Sequence, residues 1–501
     1  MSRAAGRSVR SCAVFAGLLV LTAGCGRKPL VEGSLVLAQR PVAAANGGMP
    51  AATGGAKGGT VATQASLFPE GSRIVLWEPG AAEGAERELS RGLFAAGQPV
   101  VSPDTRKVYF SGRATASSPW QVFEVDPRGG GARQLTSMPG GCMSPAVLAG
   151  GRIVVVSPAP SAATNGPASQ LYLIDHASLP RQLTFAPGGV RDPEVLPDGR
   201  ILFVASFSVD VAERGEALYT VINDGTEFAP FAGEHGVQLQ LRRPRVLGDG
   251  GIGFLAIKGD DAAFWTAESV LLRRPDSSRS IIAGAEGLRC ESLEGDGQGG
   301  MLATLPHRGS GGGREMKGTM SVFHRASGTS TNQTPWSLVH TSDRWDDVEA
   351  VALKARQEPK GHVSTMAPES KTGTLLCLDA GFSTYPALSG SGAEPVRKVR
   401  VLAATDAGTK VLGELVVQPD GSFMADVPAD LPIGFETLSA DGSVLRRSSP
   451  SFWVRSGENR TCVGCHAGHH RAPRNARPAA VNVPVVKLAL EGAQPTATKA
   501  H

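Results

Sequence analysis

The chain has 501 residues, and its 63 glycines and 35 prolines outnumber 17 Phe, 6 Trp and 4 Tyr, yet it stays below the Gly-plus-Pro share of about 25–30% that marks disorder. Fifty basic against 46 acidic side chains, a net charge of +4, argue against nucleic acid as the main partner. Seven unevenly placed cysteines exclude a disulfide-dense scaffold, and the length allows about two to four domains.

Residues 1–24 read as a signal peptide. Arg3, Arg7 and Arg10 form a basic start, and Cys12–Ala23 is an apolar stretch too short to span a bilayer comfortably. The competing reading is an uncleaved N-terminal anchor. Leu21-Thr22-Ala23-Gly24-Cys25 resembles the lipobox of bacterial lipoproteins, with Thr22 where leucine is usual. The expectation is an exported, periplasmic-side protein held to a membrane through a lipid on Cys25. Residues 25–66, with Gly47-Gly48 and Gly54-Gly55, read as a flexible tether.

Residues 67–345 carry a repeat. One half pairs Ser102-Pro103-Asp104, Ser144-Pro145, Asp192-Pro193 or Arg243-Pro244, read as turns, with a following strand such as Ile153–Val155 or Ile201–Val204. The other half is an alternating strand, a polar turn and a short strand: Val122–Asp126 then Arg133-Gln134-Leu135-Thr136, echoed by Leu171–Asp175 then Arg181-Gln182-Leu183-Thr184. Phe123 to Tyr172 is 49 residues and Tyr172 to Tyr219 is 47, the spacing of β-propeller blades. About six blades are predicted, in a pattern that resembles exported TolB-like or WD40-like propellers. A propeller by itself assigns no function.

Residues 346–456 read as a small β-sandwich. Short alternating strands at Val399–Leu402, Gly413–Val417, Ser422–Val427 and Gly434–Leu438 are separated by turns at Asp420-Gly421 and Asp441-Gly442. The whole fold class is therefore all-β: a propeller, a sandwich, a haem-attachment segment at 457–472 and a Pro-, Ala- and Arg-rich tail at 473–501. The tail reads as poorly ordered, with Val483–Leu490 as a candidate edge strand.

Cys462-Val463-Gly464-Cys465-His466 is the sharpest motif. In C-x-x-C-H the two thiols reach the two vinyl groups of one porphyrin and the adjacent imidazole reaches its iron, so one haem c is expected on Cys462, Cys465 and His466. A structural zinc site, a redox dithiol and a disulfide are the competing readings. For the second axial position the candidates are His470, His469 and His362, with Met366 and Met424 as thioether alternatives. Trp453 and Phe452 are candidate haem walls, each equally readable as core, and Arg455 or Arg460 could meet a propionate. Cys142 and Cys290 sit at equivalent blade starts; they read as buried thiols or an inter-blade disulfide, and alternatively as ligands of a second metal, zinc. Cys377 reads as core.

The run Val427–Leu438, then Ala440-Asp441-Gly442, then Gly457-Glu458-Asn459-Arg460-Thr461 and the motif resembles the middle domain of the hydrazine synthase alpha subunit family; Ala355-Arg356, Pro359 and Thr372–Cys377 match as well. The resemblance covers about residues 346–470. It implies a propeller beside a one-haem middle domain, in a complex that makes hydrazine from nitric oxide and ammonia. It also implies a haem held by a tyrosine four residues past the motif histidine, with that histidine free to face a metal. This chain has His470 there, which favours a tighter, electron-transfer iron, and the family's further dihaem domain is not expected. Three functions follow: a lipid-anchored monohaem cytochrome serving a redox partner protein, a haem oxidoreductase acting on a small nitrogen compound, or a non-redox propeller scaffold with a structural haem. Oligomeric state is not legible.

Overall fold

Short runs of Val, Ile, Leu and Phe between glycine-bearing turns set the strands. In the computed structural model, which describes residues 29–42, 65–82, 84–159, 168–175, 178–208, 214–233, 239–258, 266–282, 290–307, 319–326, 335–383, 388, 392–405, 407–464 and 475–490, they pair into eight four-stranded sheets. The expected signal peptide, and Cys25, lie outside the described residues.

Six sheets are antiparallel blades arranged in a ring. From the axis outward, blade one is Trp345–Ala352, Leu35–Pro41, Arg73–Trp77 and Arg87–Glu88. Blades two to six begin at the axis with Ala95–Val101, Met143–Val147, Val190–Val195, Leu239–Val246 and Ser292–Gly295 and run outward in chain order. The ring closes where Leu35–Pro41 pairs antiparallel with Trp345–Ala352, Leu35 opposite Ala352 and Pro41 opposite Trp345. This corrects the tether expected at 25–66. Leu35–Pro41 is a short apolar run beside Gly- and Ala-rich sequence, and Val36, Leu37 and Ala38 are fully buried because the last strand of the ring covers them.

The repeat has a physical cause in each half. Thr136 Oγ1 accepts from Val122 N (2.9 Å) and donates to Gln121 Oε1 (2.8 Å), while Gln134 Nε2 reaches Thr136 O (2.7 Å). Thr184, Leu171, Gln170 and Gln182 repeat the clasp at 2.9, 2.8 and 2.8 Å. In blades two and three the Gln-Leu-Thr signature thus satisfies the polar groups where the outermost strand ends. The other half corrects the sequence reading. Ser144-Pro145, Asp192-Pro193 and Arg243-Pro244 are not turns ahead of strands; with Gln98-Pro99 they lie inside the axial strands, at bulges where the register shifts. The residue before each proline has φ between 50° and 56°. Proline lacks an N–H and is tolerated in a sheet where a bulge interrupts the ladder.

The other two sheets form the sandwich. One orders Asn459–Cys462, Thr372–Cys377, Phe423–Pro428 and Val486–Lys487; the other orders Gly408–Val416, Lys398–Thr405, Ile433–Leu438 and Val444–Arg447. Leu375, Val399, Val401, Leu415, Phe423, Ala425, Val427 and Ile433 form the core between them. Part of the tail expected to be poorly ordered is tied down. Val486–Lys487 pairs in parallel with Ala425–Asp426, and the N–H groups of Ala479 and Ala480 reach Asp420 Oδ2 and Ser422 Oγ (2.7 and 2.9 Å). No helix among the described residues is long and apolar enough to cross a membrane.

Candidate functional site

The C-x-x-C-H run opens on the last residue of an edge strand. Asn459–Cys462 runs parallel to Thr374–Cys377, with Cys462 opposite Cys377. Leu378 N donates to Cys462 O (2.9 Å), Thr374 N to Glu458 O (2.8 Å) and Gly457 N to Thr372 O (2.9 Å), so the strand is pinned along its length. Cys462 is half-buried at the margin of the sandwich core; burial pushes its thiol up, against the opposing charge of Arg460. Gly464 follows with no room for a side chain, since a Cβ there would run into the Phe382 carbonyl and lie 2.9 Å from that of Asp379. Cys465, His466, His469 and His470 lie outside the described residues.

Just upstream, the chain joins the two domains. Trp453 and Val454 are neighbours whose side chains enter different cores, Trp453 the propeller's and Val454 the sandwich's. The Trp453 ring is 1% exposed and stacks on Phe228 (centroids 4.0 Å, 27°), edge-on to Phe185 (6.3 Å). Phe228 continues the column to Tyr219 (5.0 Å), and Tyr219 to Phe203 (6.4 Å). Arg455 reaches into blade three: Nη1 donates to the Gln182 and Leu183 carbonyls (both 3.0 Å), Nε lies 2.9 Å from Asp430 Oδ1, and the guanidinium sits 5.0 Å from the Phe185 ring. Glu458 accepts from Arg455 N (2.8 Å) and from Glu227 N of the propeller (2.9 Å). Arg460 Nη2 donates to the Phe228 carbonyl.

These contacts reassign several sequence candidates. Trp453, offered as a haem wall, and Arg455 and Arg460, offered to a propionate, are engaged in the joint. His362 Nε2 is 2.7 Å from Asp198 O, and its own carbonyl accepts from Asn223 Nδ2 (3.1 Å). It is part of a strap, residues 353–371, that crosses the propeller face; Arg356 also belongs to it, bonding Val101 O (2.6 Å) and Pro103 O (3.0 Å).

Cys142 and Cys290 stand at the starts of blades three and six, on opposite sides of a six-blade ring, so no disulfide joins them. Each is buried in its own inter-blade core. Burial pushes Cys142 up to about 11 and Cys290 up to about 12, which keeps both protonated and makes them poor metal ligands. Among the described residues neither belongs to a group of three or more His, Cys, Asp or Glu side chains able to hold a metal.

Sequence reasoning missed the charge buried along the propeller axis. Arg40 pairs with Glu291 (2.9 Å), Arg243 with Glu349 (3.1 Å), and Arg245 with Glu294 (3.1 Å) and Glu194 (3.7 Å). Of these residues, only Arg243 stands at one of the X-Pro bulges that the sequence could have marked. Burial pushes Glu294 up to about 8; Arg245 opposes this and Glu194 adds to it. A carboxyl that binds its proton more tightly folded than unfolded contributes stability at low pH that is lost as pH rises through about 8. Glu294→Gln should therefore flatten the fall in stability between about pH 4.5 and 8, measured by urea unfolding; an unchanged slope would contradict this assignment.

Comparison with known proteins places this geometry. The family model of the hydrazine synthase alpha subunit middle domain matches residues 356–467. The hydrazine synthase subunit alpha of Kuenenia stuttgartiensis is 34% identical over 98 residues, a match covering 20% of this chain and 12% of that protein. The solved Kuenenia stuttgartiensis hydrazine synthase superposes with a TM-score of 0.74 at 18% identity, covering 91% of this chain and 72% of that one. That likeness extends the shared fold through the propeller. TolB from Acinetobacter baumannii overlaps more loosely, with a TM-score of 0.42 at 11% identity over 64% of this chain and 66% of that one.

Proposed function

We propose that this chain, whose residues 356–467 match the model of the hydrazine synthase alpha subunit middle domain, is an exported, lipid-anchored monohaem c-type cytochrome that serves a redox partner protein. The observation that carries the reading is the Cys462-Val463-Gly464-Cys465-His466 run inside the matched domain, opened by a strand locked to the sandwich. Cys462 suits haem attachment by position: it is half-buried on an edge strand at the margin of the sandwich core, next to Val463 at 39% exposure. Cys462 and Cys465 would hold the porphyrin, with His466 and His470 as iron ligands. When bound, haem c supplies a one-electron iron couple.

The chain's own residues do the positioning. Gly464 lets the backbone pass close over the loop at Asp379–Phe382. Arg455, Glu458 and Trp453 clamp the segment before the motif to the propeller, so the attachment point is held against it. A fixed geometry suits electron transfer to a docked partner. The match to the hydrazine synthase middle domain favours a second reading, a haem oxidoreductase acting on a small nitrogen compound.

The test is a pyridine haemochrome spectrum of protein matured in a periplasm competent for c-haem attachment. A covalent c-type band is expected, reduced to background in Cys462→Ser and Cys465→Ser; its absence from the wild type would sink both readings. Ready binding of carbon monoxide or nitric oxide to the ferrous protein would favour the enzyme, and a refractory low-spin iron the cytochrome.

A further inference from the structure

We propose that Cys377 and Cys462 form a disulfide in the haem-free protein, making Cys462 a residue with two mutually exclusive fates. The pairing itself does not depend on the haem reading; the competition with haem attachment does. Cys377 and Cys462 are direct partners in the parallel pairing of Thr372–Cys377 with Asn459–Cys462. Adjacent strands lie about 4.7–4.9 Å apart and partnered residues present their side chains on one face. That separation falls inside the Cα–Cα range of about 4.4–6.8 Å that disulfides span without backbone movement.

The two positions cannot slide past each other. Leu378 N donates to Cys462 O (2.9 Å), bracketing the pair on one side, and the register holds back to Thr374 opposite Asn459. Both residues contribute to the same sandwich core, Cys377 at 2% exposure and Cys462 packed against its edge, and each carries a thiol. The other described cysteines, Cys142 and Cys290, are buried in separate propeller cores and cannot reach either.

The oxidant is a disulfide-bearing thiol compound, such as a periplasmic disulfide carrier or oxidised glutathione. One protein thiolate attacks the oxidant's disulfide, forming a mixed disulfide and releasing one reduced thiol. The second protein thiolate then attacks the protein-side sulfur, forming the Cys377–Cys462 bond and releasing the other reduced thiol. The two protons lost by the protein are carried by the two released thiols. Haem attachment to Cys462 would require the bond to be reduced first.

Full-length haem-free protein, equilibrated with oxidised glutathione and alkylated, is digested with trypsin without reduction and mapped by mass spectrometry. The expected product joins the peptide 372–397 to the peptide 461–471 alkylated at Cys465, two hydrogens lighter than their sum. It should persist in Cys465→Ser and vanish in Cys462→Ser and Cys377→Ser. A wild-type map in which Cys377 is alkylated while Cys462 is bonded to Cys465, or in which both carry only glutathione, overturns the proposal without any variant. If the cross-link is found but no covalent haem can ever be attached, the disulfide stands and the cytochrome reading fails. If haem attaches and the cross-link never forms, the outcome is the reverse.

Discussion

Replacing Trp453 by alanine is expected to cost about 3–5 kcal/mol, the range for removing a fully buried large aromatic, and to loosen the middle domain from the propeller. The indole is 1% exposed and closes an aromatic column that runs through Phe228 and Tyr219 into blade four. Its removal leaves a void bounded on both sides by ordered domains, which cannot collapse without moving Arg455 off the Gln182 and Leu183 carbonyls. The indole Nε1–H is buried with no acceptor among the described residues. Trp453→Phe should therefore cost much less than the alanine, because it keeps most of the ring stack and removes an unsatisfied donor. Differential scanning calorimetry checks the stability, and proteolysis within the strap at 353–371 checks the joint. An alanine variant that melts within a degree of the wild type, with an uncut strap, would show that the column does not hold the domains together.

His340 carries the second large effect. Its Nδ1 lies 2.6 Å from Asp347 Oδ2 and its Nε2 lies 3.0 Å from Glu86 Oε1, while Gln39 Nε2 holds the other Asp347 oxygen at 2.9 Å. His340 ends the outermost strand of blade six, Asp347 belongs to the closing strand, and Glu86 precedes the outermost strand of blade one, so the imidazole ties the two blades that meet at the ring seam. Burial lowers the imidazole's proton affinity, but the hydrogen bonds and charges of Asp347 and Glu86 outweigh it, and the net shift is upward. Burial pushes Asp347 up as well; burial also acts to raise Glu86, but the His340 contacts hold it below its ordinary value. Arg73 faces the same cluster, its guanidinium 3.9 Å from the Trp345 ring. A histidine whose folded affinity for protons exceeds its unfolded one contributes stability in full below the unfolded value of about 6.5, and loses it as pH rises through the folded value. Wild-type stability should fall as pH is raised above about 6.5. His340→Ala should cost about 3–5 kcal/mol at pH 6, since it strands two carboxylates in the seam, and should make the fall in stability from pH 6 to pH 9 shallower, leaving the part that Glu294 contributes. Unfolding at pH 6 and pH 9 checks both; a variant that keeps the wild-type slope would assign the titration to another group.

Much of the architecture was legible before any coordinates. The period near 50 residues between Phe123, Tyr172 and Tyr219 follows from the strand pattern local to each blade, reinforced in blades two and three by the Gln-Leu-Thr clasp, and so is written in the repeats. The sandwich strands announced themselves through alternation and Asp-Gly turns for the same reason. The C-x-x-C-H run is local too, because its chemistry is set by residue type and spacing.

Legible from the amino acids alone, then, were the elements whose hydrogen bonds and packing close within one repeat or one hairpin, together with the matched middle domain. Pairings across hundreds of residues needed the tertiary structure. Leu35–Pro41 looks like part of a tether until Trp345–Ala352 arrives to bury it. Trp453 reads equally as haem wall or core until Phe228 fixes which core it enters. The partnership of Cys377 with Cys462, like the charge clusters along the axis and the His340 seam, exists only because distant strands fall into register, and no local pattern encodes that register.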